Sequence, residues 1–278
     1  MPRSIVVTGP DIERTTLAAA IAHRLHLVGR EALLLTMGSA NDPGTARTAA
    51  FYGGLPYGIG VNPLGLSQAA SMLGDLGSAV IVADVPADDA IGETVEKLDA
   101  VVVVAGSAAA HLPIAPERFA GEIDVSGFRG DRLLMAPTVS RVLAALPAET
   151  TVRFIDGKQE ALCEDLLIAP IAHDTGRLYF GGADHAVVVC RDDKPELALS
   201  ALAGNTTLLV ITGGDEPLGY VAERAAAAST PLAITRETTF PTVQRIETTF
   251  APGPPRSLKQ VERAASIMAH IDPEALLR

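Results

Sequence analysis

The feature that most limits how this chain can fold is a short apolar run that recurs without polar alternation. It occurs at Ile5–Thr8, Ala32–Thr36, Ala79–Ala83 and Ala100–Ala105, and again at Leu166–Ile168, Ala186–Cys190, Leu208–Ile211 and Pro231–Ile234. A strand with one wet face alternates. A strand that is apolar throughout is buried on both faces, as in a parallel sheet covered by helices. Helical pattern fills the intervals: Thr16–Val28, with Leu17, Ile21, Leu25 and Val28 on one face, then Leu66–Leu73, Ile91–Leu98, Pro195–Leu202, Tyr220–Ala228 and Phe240–Ile246. Strand and helix in alternation, joined by right-handed crossovers, predict an α/β protein: a doubly wound parallel sheet in the first half, followed by a smaller α/β domain. Composition agrees: 48% of residues are hydrophobic but only 4% aromatic, with no Trp, so the core is built from Ala, Val, Leu and Ile.

At 278 residues the chain is comfortable for two domains. The pattern pauses around Pro147–Thr151, which places the expected domains at 1–148 and 149–278. Within the first, Gly38–Gly65 offers only a short helix near Ala46–Tyr52. Arg132–Ala136 reads as a strand, and Pro137 with Thr138 as cap opens a helix over Val139–Leu146. Within the second, a helical stretch follows Ile168 and runs to Tyr179. The prolines of Ala251–Pro255 break the pattern, and Leu258–Ile271 is expected to be a helical arm of the second domain.

The net charge of −11 provides no basic stripe for nucleic acid. Cys163 and Cys190 stand apart, outside any CxxC or Cys/His pattern, and read as buried thiols of a reducing compartment. His23, His26, His111, His173, His185 and His270 are scattered, without metal-ligand spacing. Asp88-Asp89 reads as a solvated turn, and no G-x-S-x-G elbow occurs. No apolar run has membrane length and the N-terminus lacks a signal-peptide layout, so a cytoplasmic protein without a membrane partner is expected.

A first candidate site lies at the end of the first strand. Gly9 to Thr16 has the length of a phosphate-binding loop, G-x-x-x-x-G-K-[ST], but Arg14 replaces its second glycine and Thr15 its lysine. Gly9 can still make the first turn, Arg14 supplies a cation from a shifted position, and Thr16 stands where a hydroxyl would hold magnesium. Asp84, after the apolar Val80–Ala83, stands where an acid would orient that metal, so Thr16 and Asp84 are the candidate metal pair for a nucleotide with magnesium. Losing the lysine removes a transition-state cation and leaves binding as the simpler role.

A second candidate site lies at the carboxyl ends of the later strands, where ligands of open α/β sheets gather. Arg191 and Asp192, the triplet Thr212, Gly213 and Gly214, and the pair Thr238 and Thr239 follow successive strands. The glycines allow close approach of a ligand or another chain; the threonines and the helix start offer donors to an anion.

These segments carry a family likeness. The N-terminal half resembles the dethiobiotin-synthetase-like P-loop domain at the front of long phosphotransacetylases, with "DRLLMAPTVSRVLAAL" resembling the end of that domain and "EDLLIAPI" the start of the next. "CRDDKPELALSAL" and "LLVITGGDEP" resemble the signatures of the DRTGG domain, with Arg191-Asp192 in place of its Asp-Arg and Thr212-Gly213-Gly214 matching outright. "STPLAITRETTFPTVQRI" and "KQVERAASIMAHIDPEALL" resemble its last unit and its arm. The sequence stops before an acetyltransferase domain. The resemblance implies a non-catalytic regulatory protein that senses a small anion or nucleotide and self-associates as a homo-oligomer through the DRTGG-like part. Two alternatives stay open: an ATP-dependent ligase or phosphotransferase with an atypical P-loop, and a structural partner of an acyl-transfer enzyme supplied in trans.

Overall fold

The computed structural model describes residues 4–60, 62–75, 77–88, 90–107, 112–169, 177–214 and 216–277. His111, His173, Asp89 and residues 170–176 of the predicted helical stretch lie outside the described residues. In chain order the elements are β1 (Ser4–Thr8), α1 (Asp11–Leu27), β2 (Ala32–Thr36), α2 (Pro43–Gly53), α3 (Leu66–Asp75), β3 (Val80–Asp84), α4 (Ile91–Lys97), β4 (Ala100–Ala105) and β5 (Phe119–Ile123). Then follow α5 (Val139–Ala145), β6 (Thr151–Arg153), β7 (Asp165–Ile168), α6 (Arg177–Gly181), β8 (Ala186–Arg191), α7 (Pro195–Leu202), β9 (Thr206–Thr212), α8 (Gly219–Ala227), β10 (Leu232–Thr235), α9 (Thr239–Glu247) and α10 (Leu258–Ile267).

The chain forms two compact α/β units. Unit 1 comprises residues 1–134 and 252–278; unit 2 comprises residues 135–251. The observed division differs from the expected one at 148 in two respects: α5, expected in the first domain, packs in unit 2, and α10, expected in the second, packs in unit 1. Its Val261, Ala264, Ala265 and Met268 are buried against α1.

The sheet of unit 1 runs β2-β3-β1-β4-β5, all parallel. One face packs on α1, the other on α3 and α4. Helix α1 has the sheet on one side and α10 on another, so its Leu17, Ala18, Ala19, Ala20 and Ala22 are all fully buried. A helix apolar on every side belongs between two layers, and alanine lets both approach closely. Arg24 of α1 donates to the carbonyls of Met268 and Ala269, capping the end of α10. The connection after β1 passes over one face of the sheet and that after β3 over the other. These neighbouring strands therefore flank a crevice at their carboxyl ends.

The sheet of unit 2 runs β6-β10-β9-β8-β7, parallel except for β6, which pairs antiparallel with β10. Helices α7 and α8 cover one face, α5 and α9 the other. The crossover after β9 therefore takes one face and the helix after β10 the opposite face, and the crevice of this sheet lies between β9 and β10. Among the described residues no helix is long and apolar enough to cross a membrane.

Two local expectations are corrected. Residues 132–136 are not a strand: the Asp131 carboxylate accepts the N–H groups of Leu133 and Leu134 and folds them into a turn. Helix α1 starts at Asp11, not Thr16, because the side chains of Arg14 and Thr15 are drawn inward from its first turns, as described next.

Candidate functional site

At the rim of unit 1, Asp84 ends β3 beside Val7 of β1 and Thr36 of β2. It is fully buried. Arg14 Nε donates to its Oδ1, and Thr15 Oγ1 donates to its Oδ2 at 3.0 Å. The Tyr52 hydroxyl lies 3.1 Å from Oδ2 and 2.9 Å from the Thr15 carbonyl oxygen, so its one proton is shared between them. Burial pushes the Asp84 carboxyl above its ordinary range, against the pull of Arg14, Thr15 and Tyr52. Burial opposes the Arg14 charge too, but Asp84 and Asp11 outweigh it and hold the guanidinium protonated. Burial also lifts the Tyr52 phenol well above its ordinary value, which keeps it a donor.

The residues expected to hold magnesium are otherwise engaged. Thr16 Oγ1 donates back to the Ile12 carbonyl at 2.7 Å, and the cation beside Asp84 is Arg14 itself. Gly9 has φ +126°, and a Cβ there would come within 2.8 Å of the Ala105 carbonyl oxygen, so β4 alone demands glycine. Pro10 has no N–H, and the helix begins at once after it; Gly9–Thr16 thus forms no open ring of inward N–H groups. A cleft of about 510 Å³ opens beside the pair, lined by residues that include Arg14, Thr15, Thr36, Ser39 and Thr45. Among the described residues no group of three or more His, Cys, Asp or Glu could hold a metal ion.

At the rim of unit 2 the expected residues do come together. Arg191 and Thr212 are register partners, and Thr235 is the next in the row. The Thr212 hydroxyl lies 2.8 Å from that of Thr239 and 3.2 Å from the Cys190 carbonyl oxygen. Asp192 N–H donates to the Thr212 carbonyl at 3.0 Å, which brings the Asp192 side chain over Gly214. A Cβ on Gly214 would come within 2.8 Å of Asp192 Cβ. Gly213, at φ +82°, donates its N–H to the carbonyls of Thr235 and Glu237, tying β9 to the loop after β10. Thr238 is the exposed N-cap of α9, without a side-chain cap bond, and Arg191 pairs with Asp193 at the surface. Leu218, Tyr220 and Phe240 are exposed at the starts of α8 and α9, Phe240 by 71%.

Residues 145–249 match the model of the DRTGG domain. This part of the chain is a DRTGG domain. Thr212, Gly213 and Gly214 and the Asp192 that closes over them all fall within it. Among solved structures, the protein is similar to the CBS and DRTGG domains of the regulatory region of Clostridium perfringens pyrophosphatase, solved with its activator diadenosine tetraphosphate. The likeness is 16% identity with a TM-score of 0.35, over 44% of this chain and 52% of that one, so the chain spans about half of that structure's length.

Sequence reasoning missed Tyr52 and Asp11 at the first rim; at the second it placed Glu237 at the strand-end rim but not its partners. Glu237 accepts from Thr242 at 3.2 Å and from Arg245 at 3.1 Å. Asp42-Pro43 was a readable signal for the start of α2, since Asp42 Oδ2 accepts the Thr45 N–H at 2.7 Å with proline in the first turn. Tyr52 left no local signal: only the tertiary fold brings it to Asp84.

Proposed function

We propose that this protein is a non-catalytic ligand sensor, related to the N-terminal region of long phosphotransacetylases. Its DRTGG domain binds a small anion or nucleotide in the crevice between β9 and β10 and self-associates there. The observation that carries the non-catalytic reading is the closure of Asp84. A phosphoryl-transfer site needs that carboxylate for a metal and a mobile cation for the phosphates. Here one buried residue, Arg14, occupies both places. The hydroxyls of Thr238 and Thr239, the latter held from below by buried Thr212 at 2.8 Å, and the first N–H groups of α9 support an anion at the other rim. The exposed Leu218, Tyr220 and Phe240 support self-association.

The test is a thermal-shift panel on the full chain with AMP, ATP, diadenosine tetraphosphate, acetyl-CoA, acetyl phosphate and inorganic phosphate. ATP turnover and molecular mass are measured in the same buffers. The expected result is a melting temperature raised by at least one nucleotide, the rise falling in Thr239→Val, with no turnover. Turnover of magnesium-ATP that Asp84→Ala abolishes would overturn the reading.

A further inference from the structure

The cleft of unit 1 has a charge pattern that phosphate does not explain. The Arg14 side chain is only 9% exposed and lines the cleft. Its Nε is committed to Asp84 and its Nη1 to Asp11 at 2.7 Å, while Nη2 has no hydrogen-bond partner among the described residues. A guanidinium with one edge open to a cleft invites an oxyanion. The same cleft is lined by Asp11, Asp42, Asp84 and Asp88, so carboxylates outnumber the guanidinium four to one. Among the described residues Asp88 commits only Oδ1, to the Ala90 N–H at 3.0 Å, and Asp42 commits Oδ2 to Thr45. Both remain at the cleft surface with negative charge to offer.

A lining of this sign repels a phosphate, whose charge finds one neutralised arginine among four acids. Among the described residues the acids do not gather into a metal-binding group. A simple amine leaves the open edge of Arg14 unused, and a simple carboxylate meets the acids. The volume of about 510 Å³ is that of a small-molecule site. We propose that this cleft binds a small zwitterion, an amino-carboxylate whose carboxylate sits on Arg14 Nη2 and whose ammonium sits against Asp42 and Asp88. The site belongs to unit 1 alone and does not rest on the ligand proposed for the DRTGG domain.

Calorimetric titration of the full chain with ε-aminocaproate, caproate, hexylamine and inorganic phosphate tests this, because the first three differ only in which charged ends they carry. Saturable binding of ε-aminocaproate is expected, with the other three at least about tenfold weaker. In Asp42→Asn/Asp88→Asn its affinity is expected to fall by about tenfold with the thermal transition retained. Asp88→Asn alone serves if the pair loses its fold, since removing the Asp42 cap weakens α2. Hexylamine binding as tightly as ε-aminocaproate, phosphate binding more tightly, affinity unchanged in the variants, or no binding up to about 10 mM would each overturn the proposal.

Discussion

Both units end their central parallel strands at a crevice where successive connections part to opposite faces, yet the two rims are closed by different means. In unit 1 the closure is made by side chains: Arg14, Thr15 and Tyr52 converge on the buried Asp84. In unit 2 it is made by backbone: Gly213 ties β9 to the loop after β10, and Asp192 lies against Gly214 where no Cβ fits. A buried charge pair takes the place in which a metal ion and its phosphate would be held. A backbone closure made with glycine needs no buried charge and leaves Thr238 exposed at the start of α9. The same architecture can thus bury its own counter-ion at one rim and keep another open.

The comparison can be broken most severely through the part of unit 1 that arrives last in the sequence. A chain cut after Ala251 is expected to lose the unit 1 transition, because α10 no longer covers the buried alanines of α1, while the transition of unit 2 persists. Calorimetry would resolve the two. Next in size is the charge pair. Asp84→Ala leaves Arg14 buried with only the exposed Asp11 as partner and should cost about 3–5 kcal/mol in denaturant melts. The paired replacement Asp84→Ala/Arg14→Met should recover part of that cost. Gly214→Ala should cost unit 2 about 1–3 kcal/mol through the clash with Asp192 Cβ, relieved by Asp192→Gly. Sensitivity of unit 2 to charge removal as large as that of unit 1 would erase the distinction.

The smallest effect sharpens the comparison by reporting on one unit alone. Both thiols, Cys163 and Cys190, are buried in unit 2. Burial pushes each from its ordinary 9.0 up to about 12, with Glu196 and Asp193 adding to the shift at Cys190. A native pKa raised in this way contributes stability below pH 9.0 that is lost as pH rises toward about 12. A thiol reagent at pH 8 should therefore not label the native chain, and labelling should begin as unit 2 unfolds, unaffected by Asp84→Ala.

Most strands legible in the sequence were doubly buried, although β7, an edge strand with Ile168 43% exposed, was legible too. Those missed were edges: β6, where Val152 is 37% exposed, and β5, which is bulged at its pairing with β4 and mostly exposed. Such an edge buries too little to write an apolar run, and a bulge breaks its period. The false strand at 132–136 had the apolar residues but not the backbone partners, which Asp131 had already taken. The DRTGG rim was legible because glycines after a strand record a local steric need. The rim of unit 1 was legible only as altered residues, since what Arg14 and Thr15 reach depends on Tyr52 and Asp84, far away in sequence. The alanines of α1 carried a signal of their own: a helix with no polar side needs a second cover.

The cap that Arg24 places on α10 joins residues 244 positions apart. On a ribosome moving at about 5–20 residues per second, roughly ten to fifty seconds pass between the emergence of α1 and that of its cover. The whole of unit 2 is made in that interval. The nascent chain is thus expected to complete its middle before its beginning, and its alanine helix is the surface a chaperone would have to shield while it waits.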